Sequence, residues 1–243
     1  MNDNSKTCIA IRHIFFEDLG YFEGPIRRAG YDIHYREAPV DNFEDAFDTD
    51  LLVILGGTCS VHEGNLYPYI DQEIAIAKHR IANALPTLGI CLGAQIIAHA
   101  AGASVYVGDH GAEIGWAPIS LTKEGAQSFL SPLGENGAPM FHWHRDTFDL
   151  PKDAALIASS EQYRHQIFSI GNNILAFQSH PELDSTKIEH WLIGHACELS
   201  QNGIDHSRIR KDTIKYSAAL KQNVWFFLYC CVCTGWCLFL RGK

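Results

Sequence analysis

LPTLGICLGAQIIAHAAG, residues Leu85–Gly102, decides the fold. Pro86–Ile90 predicts a short buried strand, because the run is apolar, opens on a helix-breaking proline and is too short for a helix. From Leu92 the pattern changes: Ile96, Ile97 and Ala100 recur at helical spacing and Gly102 supplies a stop. Cys91 then falls on the turn between strand and helix, with Gly89 and Gly93 on either side. This is the nucleophile-elbow arrangement, in which small neighbours permit a strained backbone and push the side chain into the open. A helix N-terminus behind a cysteine also offers partial positive charge and free N–H groups, which favour a thiolate and an oxyanion. The alternative is a buried structural cysteine beside a tight turn.

A second stretch, NILAFQSHPE at Asn173–Glu182, is an apolar strand running into His180, Pro181 and Glu182. A cysteine nucleophile needs a base to accept its proton and return it to the leaving amine, and the base needs an orienting carboxylate. His180 and Glu182 supply both from one loop. They lie far from Cys91 in sequence, so only a fold that gathers strand ends would join them. The C-terminal edge of a parallel sheet does this. Taken alone, a His-Pro-Glu loop is more often an ordinary surface turn than a catalytic dyad.

GICLGAQ around Cys91, LGG at Leu55–Gly57 and QSHPE around His180 resemble the class I, or triad, glutamine amidotransferases. The likeness is greatest to stand-alone proteins similar to the glutaminase domain of GMP synthase, and EIGW at Glu113–Trp116 and FHWHRDTFDLP at Phe141–Pro151 share in it. It runs from about Cys8 to about Leu220. The resemblance implies a three-layer α/β/α fold, flavodoxin-like, with a mostly parallel sheet and an antiparallel extension. It implies catalysis by Cys91, His180 and Glu182. It makes the Gly57 and Leu92 N–H groups the oxyanion hole, and Gly56, Gln95, Trp143 and His144 substrate-binding residues. Gly56-Gly57 also end a predicted strand, where such sheets bind ligands; an ordinary glycine turn is the plainer reading. Gln95 otherwise packs a helix. Thr58, Cys59 and Arg145 depart from the family pattern, Arg145 replacing a common glycine.

The remaining chain agrees with one α/β domain. It has 243 residues, 47% of them hydrophobic, enough for one sizeable core. A formal net charge of -9, with no basic run, argues against a nucleic-acid surface. Scattered cysteines at 8, 59, 91 and 197 suit a reducing compartment, and MNDNSK lacks the pattern of a secretory signal, so a cytoplasmic location is expected. Strands are predicted at Thr7–Ile14, Tyr31–Arg36 and Asp50–Leu55, and helices at Gly20–Gly30 and Tyr67–Ala84. The alternation is that of a doubly wound sheet. After Gly102 come short strands, partly antiparallel, at Ser104–Val107, Ile114–Leu121, Pro139–His144, Leu156–Ser160, Gln166–Ile170 and Ile174–Gln178. Helices over Ser185–Ser200 and Asp205–Leu220 close the domain.

Two features stand apart. His142 and His144 share a strand face and with Asp146 have the makings of a chelate. No HExxH or second ligand cluster accompanies them and the triad needs no ion, so no metal or other cofactor is expected. Residues 223–243, NVWFFLYCCVCTGWCLFLRGK, hold half of the eight cysteines. Val224–Leu240 is 17 residues without a charge, just under the ~20 that span a bilayer. The expected organisation is therefore a domain over 1–222 and an atypical hydrophobic tail over 223–243 irrelevant to catalysis, with membrane association the less favoured reading.

The expected activity is hydrolysis of the glutamine side-chain amide through a γ-glutamyl thioester. The chain shows no P-loop or S-G-G-x-D-S pattern, so ammonia is expected to pass to a synthetase on another polypeptide. One alternative is a γ-glutamyl peptidase that needs no partner. Another is a non-catalytic binding or regulatory protein on the same fold.

Overall fold

The computed structural model describes residues 6–137 and 139–233. Its first half alternates strand and helix. β1 (Lys6–Arg12) leads through α1 (Glu23–Arg28) to β2 (Tyr31–Glu37), and β3 (Leu51–Ile54) through α2 (Tyr69–Ala82) to β4 (Thr87–Ile90). α3 (Leu92–Ala100) follows β4 with Cys91 between them. The second half holds β5 (Val105–Val107), β6 (Glu113–Leu121), α4 (Lys123–Ala126), β7 (Pro139–His144) and β8 (Asp146–Phe148). It continues with β9 (Ala154–Ser160), β10 (Ile167–Ile170) and β11 (Ile174–Phe177), then α5 (Ile188–Gly194), α6 (Ala196–Gln201) and α7 (His206–Cys233).

Nine strands form one sheet in the order β2-β1-β3-β4-β11-β10-β9-β6-β7. The five strands from β2 to β11 are parallel, and the pairs from β11 to β7 are antiparallel. β5 and β8 make a separate antiparallel pair. β8 was not among the expected strands: three residues pressed against β7 carry too little pattern to register as one.

Period-two alternation divides the core. Cys8, Ala10, Leu51 and Val53 face one side, against Phe22 and Ile26; Ile9, Ile11, Leu52 and Ile54 face the other, against Ile70, Ile96 and Ile97. Both faces are covered, so these strands read as continuous apolar runs. The neighbouring strand ends of β3, β4 and β11 deliver Gly56-Gly57, Cys91 and His180 to one edge of the sheet.

The C-terminal region differs from the expectation. α7 runs without a break across residues 222 and 223. Val224, Phe227 and Leu228 are fully buried in the core formed by the α1 side of the sheet. Phe227 meets Phe22 and Phe177 edge-on and tilted, with ring centroids 6.1 and 5.8 Å away. Trp225 stacks beneath the Arg28 guanidinium at 4.2 Å. The apolar stretch begins as the buried face of a helix, so the division at residue 222 falls inside a packed element. The part of the expected tail beyond Cys233 lies outside the described residues. Among those described, no helix is long and apolar enough to cross a membrane.

Candidate active site

The backbone at Cys91 has φ 50° and ψ −104°, outside the regions open to ordinary L-residues. Such a conformation costs about 1–3 kcal/mol and persists only where the surroundings over-determine it. Packing supplies the constraint. A β-carbon on Gly89 would lie 2.6 Å from Gly93 O, and one on Gly93 would lie 2.0 Å from Ile54 O. α3 therefore sits so close against β3 and β4 that the turn between has no relaxed course. The Cys91 N–H donates to Phe177 O at 2.7 Å, tying the turn to the end of β11.

His180 stands beyond the end of β11, its own N–H bonded to Phe141 O of β7 at 2.7 Å. Its Nδ1 pairs with Glu182 Oε1 at 2.7 Å, both side chains buried. Nε2 has no hydrogen-bond partner. Burial disfavours the imidazolium, but the Glu182 carboxylate and the neighbouring Cys91 outweigh it and raise the His180 pKa well above its ordinary value. Burial likewise pushes the Cys91 thiol up, with His180 pulling the other way. Each group is thus the other's principal charged neighbour besides Glu182 and Glu17, which places the thiol and the imidazole as one coupled pair. Cys91 Sγ lies 3.5 Å from Trp143 O and 3.8 Å from Gln178 Nε2.

Cys91, Gly57, Gln95, Trp143 and His144 line a single cavity of about 440 Å³. A β-carbon on Gly57 would fall 2.7 Å from His13 Cβ and 3.1 Å from Leu92 Cδ2, so Gly57 packs directly against both side chains. Among the described residues neither of their N–H groups has a backbone partner. Gln95 Nε2 donates to Asp146 O and Gln178 Oε1, each at 3.3 Å. Trp143 Nε1 donates to Glu198 Oε2 at 2.7 Å. The His144 ring turns to Glu113, with Nε2 3.0 Å from Oε2. Gly56 is buried and does not line the cavity; its carbonyl accepts from His13 Nδ1 at 2.9 Å.

Several neighbours carry no motif and escaped the sequence reading. His13 is buried between Gly56 O and Glu73, with Nε2 2.9 Å from Glu73 Oε1. Burial opposes its charge, yet Glu73 outweighs burial and raises its pKa. Glu17, 3% exposed, lines the cavity, with Oε1 3.2 Å from His195 Nε2. His13 and Glu17 sit in an irregular loop after β1, where neither spacing nor periodicity marks them. Arg145 is exposed on the cavity rim, as are Cys197 and part of Cys59. The Cys59 thiol contacts Tyr69 Oη at 3.3 Å and is pushed up by burial.

Residues 25–196 match the model of the family described as glutamine amidotransferase class-I. The chain belongs to that family of amide-hydrolysing enzymes. It is 33% identical over 193 residues to the glutamine amidotransferase-like protein YfeJ of Salmonella typhimurium, covering 76% of this chain and 78% of that one. Gamma-glutamyl peptidase 4 of Arabidopsis thaliana is 34% identical over 98 residues, 39% of each protein. A glutamine-hydrolyzing GMP synthase of Cytophaga hutchinsonii is 29% identical over 157 residues, 62% of this chain and 29% of the synthase. A solved glutamine amidotransferase of Thermotoga maritima superposes with a TM-score of 0.83 at 30% identity, covering 94% of this chain and 99% of that one.

Proposed function

We propose that the chain hydrolyses the side-chain amide of a γ-glutamyl group, with glutamine the parent substrate, and that ammonia passes to a separate synthetase. The observation that carries the reading is a cysteine on a forced strand–helix turn with a buried His–Glu pair beside it. His180 takes the thiol proton as Cys91 Sγ attacks the amide carbon. The Gly57 and Leu92 N–H groups hold the oxyanion. As the tetrahedral adduct collapses the C–N bond breaks, and His180 returns its proton to the departing nitrogen. Water then attacks the thioester with His180 again as base, freeing the γ-carboxylate and the thiol. Glu182 orients the imidazole and balances its transient charge. Glu17 in the cavity and Arg145 at its rim complement the ammonium and carboxylate of an amino acid. Nothing in these steps needs a cofactor.

A γ-glutamyl peptidase is the second reading. It is favoured by a cavity that continues past Cys91 to Glu198 and Gln201, room for a leaving amine larger than ammonia, and by the similarity to gamma-glutamyl peptidase 4. The deciding experiment measures amine or ammonia release from glutamine beside a panel of γ-glutamyl amides and dipeptides. Glutamine turnover at least equal to the rest supports the first reading. A tenfold preference for peptides moves the assignment to the second. No turnover on any substrate, with Cys91 inert to a glutamine-like electrophile, leaves a binding protein.

A further inference from the structure

Behind the cavity wall, β6 and β7 pair so that Glu113 lies opposite His144 and Gly115 opposite His142. Residues two apart on a strand share a face. Glu113, His142 and His144 therefore come together on one side of the ladder, all three buried and their ligand atoms within 4.8 Å of one another. Glu113 Oε2 is 3.4 Å from His142 Nδ1 and 3.0 Å from His144 Nε2.

The tautomers follow from the other ends of the rings. His142 Nε2 lies 3.2 Å from Ala117 O, and His144 Nδ1 lies 3.1 Å from Asp146 O. A carbonyl only accepts, so each of these nitrogens carries the proton. In neutral rings the other two nitrogens, His142 Nδ1 and His144 Nε2, present bare lone pairs to one carboxylate oxygen. No ring hydrogen then lies between these three atoms, and the Gln166 amide reaches Glu113 Oε2 from the side. His142 Nδ1, on a fully buried side chain, makes no hydrogen bond at all, and the buried Gln166 Oε1 makes none either.

A histidine that anchors one ring nitrogen on a carbonyl and offers the other to a shared point has the second-shell geometry of a metal ligand. Tetrahedral Zn²⁺ with bonds of about 2.0–2.1 Å sets its donors ~3.3 Å apart, close to the 3.4 and 3.0 Å that separate Glu113 Oε2 from the two ring nitrogens. We propose that Glu113, His142 and His144 bind a divalent first-row transition metal, Zn²⁺ foremost. Gln166 is the fourth neighbour. Its Nε2 is 2.7 Å from Glu113 Oε2 and 3.4 Å from His144 Nε2, and turning the amide over puts Oε1 at that point. The ion pins β6 to β7 directly beneath Trp143, whose carbonyl meets the Cys91 thiol. Its role is to hold the cavity wall, and the assignment stands independently of the reaction at Cys91.

The test loads the full chain with Zn²⁺ alone, and separately with Co²⁺, after stripping by chelator. Expected are one tight equivalent per chain, a cobalt spectrum of nitrogen and oxygen ligation without thiolate charge transfer, and a melting temperature raised by the metal. Glu113→Gln, which keeps the volume, should weaken Zn²⁺ binding by more than the ~10–100-fold typical of losing an outer-shell partner, and should abolish the thermal shift. Should that variant fail to fold, an anomalous-scattering map of wild-type crystals grown with Zn²⁺ decides instead. A peak between Glu113, His142 and His144 upholds the site. Its absence there, metal held only by cysteines, or undiminished binding in folded Glu113→Gln overturns it.

Discussion

At the scale of single residues, the proposed roles of the buried pair, His180 as base and Glu182 as its orienter, can be separated. Cys91→Ala should abolish turnover, and an electrophilic glutamine analogue should add one covalent group at Cys91; label at Cys59 or Cys197 accompanied by loss of activity would reassign the nucleophile. Glu182→Gln should cost less than His180→Ala, because the imidazole keeps an approximate orientation. It should also displace the acid limb of kcat/KM. The Glu182 charge is the largest single influence that raises the His180 pKa, so without it the imidazole loses its proton at lower pH and the limb moves acidward. An unmoved limb would show that His180 does not set it. Glu17→Gln should raise KM for glutamine more than it lowers kcat, if its carboxylate meets the substrate ammonium. Equal activity on a substrate lacking the α-amino group, in wild type and variant, is the matching control.

At the scale of elements, α7 links a region with no motif to the strand that leads into His180. Phe227 packs on Phe177, the last residue of β11, three residues before His180. Phe227→Ala should destabilise the domain by about 3–5 kcal/mol, the usual cost of emptying a buried aromatic site. Exposed Phe226→Ala should stay within about 0.5 kcal/mol. Cutting the chain after Lys221 removes Val224, Phe227 and Leu228 together and should unfold it; a soluble, active product from that cut would show that the helix end is dispensable. The sequence disguised this element because an uncharged apolar run has the same composition in a membrane and in a core, and only the partner surface distinguishes them. Elsewhere the elements were readable where periodicity was strong. Strands β1 to β4 and helices α2 and α3 fall within a few residues of expectation. The helix expected over Ser185–Ser200 is instead α5 and α6, parted at His195, whose ring packs on Trp143 at 4.8 Å. Tertiary packing at that residue overrides the local helical pattern.

At the scale of the whole molecule, the parallel half of the sheet and the convergence of Gly57, Cys91 and His180 were legible, because glycine-flanked strand ends leave a short-range signature. His13, Glu17 and Glu113 were not, since each acquires its partners from strands or helices distant in sequence. The His13–Glu73 pair makes one such partnership testable through stability. The folded His13 pKa is raised above its ordinary ~6.5. Its contribution to stability is therefore full below ~6.5 and is lost as pH rises through the higher folded value. Melting temperature should fall over that window in the wild type, and Glu73→Gln should start lower and change less across it; parallel curves would mean that the pair is not charged. The strained turn at Cys91 has a consequence of another kind. Glycine tolerates a positive φ that alanine does not, so Cys91→Gly should be more stable than Cys91→Ala by about 1–3 kcal/mol. On the proposed mechanism, folding and chemistry thus pull position 91 in opposite directions. Released from the need to turn over substrate, a lineage carrying this chain would drift toward glycine there, and a cysteine retained against that pull records selection for reactivity.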